Sequence, residues 1–199
     1  MLDVVILCGG FGTRMGAMTG RLPKPMVPVG DQPLLWHVMR GFADQGCTRF
    51  VLCTGYLGEV IRRWATTLPW EVECADTGPD TLTGGRLLAV RDRLRGPVFM
   101  TYGDGVADVD LDALQRHHIQ GGRLATVSAM RPRSRFGVVD IEDGRVTRFR
   151  EKPLMQQRVS GGYFVFEREA FDYMDQGALE QGALARLATA DQLTAYPHD

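Results

Sequence analysis

The chain has 199 residues, 23 basic and 24 acidic, for a formal charge of −1; with no long basic run it lacks the electrostatic footprint of a nucleic-acid or anionic-membrane binder. That length suits one compact domain with a core of its own, and no apolar stretch approaches the roughly 20 residues of a membrane-spanning helix. A charged Asp3 directly ahead of the first apolar run does not read as a secretory signal, and Cys8, Cys47, Cys53 and Cys74 show no C-x-x-C spacing, so they read as reduced core thiols of a cytoplasmic protein.

Short apolar runs alternate with helical patterns along the chain, which predicts an α/β fold with a mainly parallel sheet. Val4-Val5-Ile6-Leu7 has the look of a buried parallel strand over Asp3–Leu7. Leu34, Leu35, Val38, Met39 and Phe42 recur at helical spacing and predict a helix over 33–45, stopped by Gly46. Strands follow at Arg49–Thr54, Glu71–Asp76 and Val98–Tyr102, with helices over 57–67 and 85–94 between them. Asp110 is placed to cap a helix over 111–120, and Ala125–Met130 is the next strand. Beyond Met130 the texture changes: 137–141 and Arg145–Arg150 flank the turn Glu142-Asp143-Gly144 and predict a β-hairpin, followed by a strand over 161–166 and a helix over 168–175. The expected architecture is a Rossmann-like, mixed but mainly parallel sheet flanked by helices, with an antiparallel insertion, in a single domain over residues 1–199.

The first strand opens into Leu7-Cys8-Gly9-Gly10-Phe11-Gly12-Thr13-Arg14. Glycines at a strand's end remove Cβ atoms, so backbone N–H groups can approach a polyphosphate. Arg14 and, after a polar gap, Lys24 add positive charge where leaving phosphates would sit. No Lys-Ser or Lys-Thr pair closes a Walker loop, and Gly10-Phe11-Gly12 is followed by Thr13-Arg14-Met15, without the last glycine of a dinucleotide fingerprint.

Five further segments could carry chemistry. Tyr102-Gly103-Asp104-Gly105 ends a buried strand on a carboxylate; ligands gather at such strand ends, so Asp104 is a candidate Mg²⁺ ligand, the alternative being a turn aspartate that caps the next segment. Thr83-Gly84-Gly85 lies at a predicted helix start, where bare backbone could contact a base or simply begin the helix. Glu151-Lys152 could accept sugar hydroxyls and pair with a phosphate, or be ordinary surface chemistry. Arg135-Phe136-Gly137 and Ser160-Gly161-Gly162 are candidates to line the same sugar pocket. His117 and His118 are adjacent and cannot form an i, i+4 metal pair, and no Ser-His-Asp or Cys-His order stands out.

With these pieces assembled, GGFGTR, PKPMVPVGDQPLLWHVM, CTGY, DTGPDTLTGGRL, TYGDGVADVDLDAL, RFGVVDI, FREKP and SGGYFVF, in order over nearly the whole chain, resemble the glucose-1-phosphate cytidylyltransferase branch of the sugar-phosphate nucleotidylyltransferases. The resemblance implies that Leu7–Arg14 binds CTP, with Gly103 also on the nucleotide and Thr83 and Gly84 near the cytosine. It implies that Lys24 contacts phosphates, that Asp104 ligates Mg²⁺, and that Glu151 and Lys152, with Gly137 and Gly162, engage the sugar phosphate. The implied reaction joins a nucleoside triphosphate and a sugar 1-phosphate, releasing pyrophosphate. The sugar-phosphate oxygen attacks the α-phosphorus in line, and Mg²⁺, Arg14 and Lys24 stabilise charge. That nucleophile is already ionised, so no general base is needed. A homo-oligomer is compatible with it.

The resemblance also implies a G-F-W…M-D-T segment after the final strand, whose aspartate is a second metal ligand; the sequence reaches Tyr196-Pro197-His198-Asp199 where that segment would start, so the domain is expected to lack it. The stretch between Trp64 and Asp76 is shorter than in the pattern, Ser160 stands where Asn is usual, and Gly182-Ala183 replaces an acidic-Pro pair. Another nucleotide, another phosphorylated or phosphonate acceptor, and a non-catalytic nucleotide-sugar-binding module therefore stay open.

Overall fold

The computed structural model describes residues 2–11 and 22–198. In chain order the elements are β1 (Asp3–Leu7), β2 (Pro28–Val29), β3 (Gln32–Pro33), α1 (Leu34–Ala43), β4 (Arg49–Thr54), α2 (Gly58–Ala65), β5 (Glu71–Asp76), α3 (Thr83–Val90), β6 (Val98–Tyr102), α4 (Leu111–Gly121), β7 (Ala125–Met130), β8 (Val138–Glu142), β9 (Arg145–Arg150), β10 (Val159–Phe166), α5 (Ala183–Thr189) and β11 (Leu193–Pro197). Three-residue or six-residue 3-10 turns lie at Lys24–Met26, Arg91–Arg93 and Arg168–Tyr173.

The main sheet runs β11-β7-β10-β6-β1-β4-β5. β1 lies parallel between β4 and β6, and β5 extends the parallel part beyond β4. β10 is antiparallel to both of its neighbours, β6 and β7, and β11 joins β7 in parallel. Alternation along β1 splits the core into two layers. Val4 and Ile6 pack with Val38, Met39 and Phe42 of α1, Ile61 of α2 and Leu114 of α4. Val5 and Leu7 face the other way, toward Leu87 and Val90 of α3 and Leu187 of α5. Each such fully buried side chain contributes roughly 1.5–3 kcal/mol relative to exposure.

All five strands expected from apolar runs before residue 131 form at the expected bounds; β1, β4 and β6, buried on both faces, read as near-continuous apolar sequence, whereas β5 is an edge strand and half-buried. Asp110 caps α4 by accepting from the Ala113 amide at 2.8 Å. Asp143 and Gly144, with φ of 48° and 77°, make the two-residue turn between β8 and β9, whose twist suits a hairpin. Two expectations are corrected. The helix placed over 85–94 starts at Thr83, so Gly84 and Gly85 lie inside α3 rather than ahead of it. The segment over 168–175 is a 3-10 turn. α5, β11 and the small β2–β3 pair were not anticipated.

The cysteines are free: Cys8, Cys47 and Cys53 are buried and Cys74 is half-buried. Burial pushes the Cys47 thiol up to about 11 and the Cys53 thiol up to about 12, from an ordinary 9.0. Two outcomes are expected. In native protein at pH 8, Ellman's reagent should titrate far fewer thiols than the four it finds in denaturant. Above pH 9 the unfolded thiols ionise while the buried ones keep their protons, so the stability these protons carry is complete below 9 and falls as pH rises toward 12, as denaturant melts would record. Among the described residues no helix is long and apolar enough to cross a membrane.

Candidate active site

The carboxyl ends of β1 and β6 open on a cavity of about 890 Å³. Leu7, Cys8, Gly9, Gly10 and Phe11 line it, together with Lys24, Thr83, Gly103 and Asp104. The structure thus gathers the expected phosphate loop, cation and carboxylate around one space. Gly12, Thr13 and Arg14, also singled out from sequence, lie outside the described residues.

Arg86, buried on α3, organises this end of the sheet. Its guanidinium donates to the carbonyls of Thr54 at 3.1 Å, Gly9 at 3.0 Å and Pro79 at 3.1 Å, and to the Thr77 hydroxyl at 2.5 Å. No carboxylate among the described residues lies within ion-pair reach of it, and burial pulls its pKa down. The Gly9 carbonyl also accepts the Tyr56 amide at 3.0 Å, so the first residue of the loop is held from two sides. A Cβ on Gly9 would sit 2.0 Å from Arg86 Nη1. Gly9 is therefore required by the cation beneath it, whereas a Cβ on Gly10 would meet none of the described residues within 4 Å.

Lys24 begins a 3-10 turn whose Pro25 and Met26 are buried, which anchors the backbone and leaves the ammonium in the cavity. Gly103 makes room for this turn, since its Cβ would lie 3.0 Å from Cys8 Cβ and 3.1 Å from Pro25 Cγ. Lys24 Nζ forms an ion pair with Asp104 Oδ2. Among the described residues no group of three or more His, Cys, Asp or Glu could by itself cage a metal. Asp104 nonetheless fits Mg²⁺ as this site would use it, because Mg²⁺ is commonly held by one or two carboxylates plus substrate phosphates.

A second polar cluster faces the same cavity. The Tyr102 hydroxyl donates to Glu180 Oε1 at 2.5 Å and the Thr83 hydroxyl donates to Glu180 Oε2 at 3.0 Å. Thr83 itself accepts the Leu179 amide at 2.7 Å, which ties α3 to the segment carrying Glu180. Burial, and then the bond to Glu180, push the Tyr102 phenol well above its ordinary pKa. Gly84 does not reach the cavity: its amide donates to the Gly177 carbonyl at 2.9 Å, and a Cβ there would stand 2.7 Å from the carbonyls of Asp175 and Gly177. The missing Cβ serves helix packing rather than exposure of backbone to a base.

Among the expected sugar-phosphate residues, Gly137, Glu151 and Lys152 meet at the root of the β8–β9 hairpin. A Cβ on Gly137 would lie 2.5 Å from the Phe149 ring and 3.2 Å from Glu151 Oε2. Lys152 Nζ is 3.9 Å from Glu151 Oε1, both side chains exposed, and neither lines the 890 Å³ cavity. Gly162 on β10 has φ of 79°, and a Cβ there would lie 3.4 Å from the ring of Tyr102, which lines the cavity as Gly162 itself does not. Arg86, Tyr102 and Glu180 had no role in the sequence reading; Arg86 was visible in it only as the end of T-G-G-R.

The nucleotidyl transferase family model matches residues 3–198. Glucose-1-phosphate cytidylyltransferase of Salmonella typhi is 36% identical over 226 residues, covering 99% of this chain and 88% of that protein. A probable glucose-1-phosphate cytidylyltransferase of Bacillus subtilis is 35% identical, with the same 99% and 88% coverage. Among solved structures, HddC from Yersinia pseudotuberculosis superposes with a TM-score of 0.75 at 22% identity, over 99% of this chain and 90% of that one, which establishes the common fold.

Proposed function

The chain belongs to the nucleotidyl transferase family, and from that premise we propose that it joins CTP and glucose 1-phosphate to give CDP-glucose and pyrophosphate. The observation that carries this is the convergence of Leu7–Phe11, Lys24 and Asp104 on one cavity. Relatives at 35–36% identity over nearly the whole chain, named for that reaction, support the choice of CTP and glucose 1-phosphate.

In this reading the glycine loop takes the triphosphate, with Gly10 offering an approach that none of the described residues obstructs. Lys24 turns from Asp104 to the phosphates and offsets charge that builds as pyrophosphate leaves. An oxygen of the sugar phosphate forms the new bond to the α-phosphorus while the bond to the β-phosphate oxygen breaks. The nucleophile enters as an anion, so no side chain has to remove a proton. Asp104 would hold Mg²⁺, which supplies Lewis-acid neutralisation of phosphate charge when bound. Arg14 belongs to the same cationic set, and Glu151 and Lys152 to the acceptor's sugar and phosphate. The four free cysteines support a cytoplasmic setting. A homo-oligomer is part of the reading too; the exposed apolar pairs Val139–Phe149 and Ile141–Val146 on the hairpin support it.

Incubating the protein with each nucleoside triphosphate and a panel of hexose 1-phosphates, with pyrophosphate release as readout, tests the assignment. CTP with glucose 1-phosphate should be the best pair. Turnover confined to UTP or dTTP would remove the cytidine assignment, and tight CDP-glucose binding without turnover on any pair would favour the binding-module reading.

A further inference from the structure

Glu180 is an exposed residue on the wall of the cavity, yet it is held in place from two separate elements. Each of its oxygens accepts one hydroxyl, from Tyr102 at the end of β6 and from Thr83 at the start of α3. Both donors are neutral, and no cation of the described residues forms an ion pair with it, so among the described residues its negative charge is oriented but not cancelled. Each carboxylate oxygen retains a further lone pair, and an ionised carboxylate can only accept. A surface glutamate that merely solvated itself would have no need of two hydroxyl clamps on different elements. A triphosphate would find this charge unwelcome near its phosphates, so the group it rewards is an uncharged N–H or O–H donor.

Resting on the nucleotidyl-transfer reading above, we propose that Glu180 is a specificity residue that accepts a hydrogen bond from a neutral N–H or O–H donor on a substrate. Two substrates can supply it: the exocyclic amine of cytosine, or a hydroxyl of the sugar. Either source makes Glu180 discriminate. A keto oxygen in place of the amine, as in UTP, would meet the carboxylate acceptor to acceptor, and a deoxy sugar would leave it unanswered. Tyr102 acts through Glu180 as a positioning residue.

Glu180→Gln keeps the shape, loses the charge and lies at an exposed position, so the fold should be retained, with an unchanged melting temperature as its check. The expected result is a ten- to hundredfold fall in kcat/KM for CTP with glucose 1-phosphate. If the base amine is the donor, the fall is absent with UTP and the CTP-to-UTP ratio collapses. If a sugar hydroxyl is the donor, the fall is equal with both nucleotides, and it vanishes on the deoxyglucose 1-phosphate that lacks that hydroxyl. Tyr102→Phe should reproduce whichever of these patterns Glu180→Gln shows, by a smaller factor. Kinetics within twofold of the parent protein on every pair would overturn the proposal. Should the parent protein turn over no pair at all, the transfer reading fails separately, and calorimetric affinities of the parent and Glu180→Gln proteins for CTP and glucose 1-phosphate decide the role of Glu180 by the same tenfold criterion.

Discussion

Asp104→Asn should lower Mg²⁺-dependent turnover by about 10²–10³-fold, the scale seen when one electrostatic stabiliser of developing charge is removed. The carboxylate lies in the cavity, and asparagine keeps its shape while giving up the charge a metal ligand needs. Stability should hardly change, because the ion pair to Lys24 is partly exposed, with side-chain exposures of 27% and 38%, and such pairs contribute at most about 1 kcal/mol. In a protein of this size that amounts to a melting shift of about 2–4 °C at most. Pyrophosphate release at saturating CTP over a Mg²⁺ titration, beside a thermal melt, separates the two effects. Activity near the parent level would place the metal on another carboxylate.

Arg86→Met should act in the opposite sense, on stability first. Methionine can fill much of the same volume but donates to nothing: the Pro79 carbonyl and the Thr77 hydroxyl lose the donor they have, while the Thr54 carbonyl falls back on the Thr77 amide and hydroxyl and the Gly9 carbonyl on the Tyr56 amide. Leaving buried acceptors unmade costs about 1–3 kcal/mol each where water cannot enter. With some access from the cavity, a total of about 3–5 kcal/mol is expected, which lowers the melting temperature by about 6–20 °C. The Gly9 carbonyl would lose one of its two donors, so affinity for nucleotide should weaken as well. Arg86→Lys should recover part of the loss, since one ammonium can satisfy some of these acceptors. Circular-dichroism melts of the two variants measure this directly; an Arg86→Met protein that melts with the parent would refute the account of Arg86 as the organiser of the loop.

What could be seen in the sequence and what could not divides along physical lines. β1, β4 and β6 carry VVIL, FVLCT and VFMTY, runs whose apolarity on both faces is itself the mark of a central parallel strand. β11 lacks that mark because it is an edge strand, half-buried, and ends in Pro197, which an edge tolerates. α5 is only seven residues long and has Gly182 as its N-cap, with no side chain to cap it, so no start signal precedes it. The site shows the same division. Lys24 and Asp104 stand beside glycines and prolines that punctuate the chain and could be read locally. Glu180 has no motif around it; its partners Tyr102 and Thr83 are 78 and 97 residues away, and only the fold brings the three together. Gly84 is ambiguous in the sequence for a related reason. A glycine pair says that a side chain is unwelcome, but whether a ligand or the protein's own carbonyls claim the space is decided by residues 175–177, far along the chain.

The placing of β10 has a consequence for how the protein comes into being. β7 has only two neighbours in the sheet, β10 and β11, and a ribosome delivers both after it. Until residue 159 emerges, one edge of β6 stays bare and the strand at 125–130 has a partner on neither edge, so the growing chain exposes unpaired strand edges over that stretch of its synthesis. The reversed strand works as a late keystone: the amino-terminal half can assemble as it is made, and the sheet closes only when the chain doubles back.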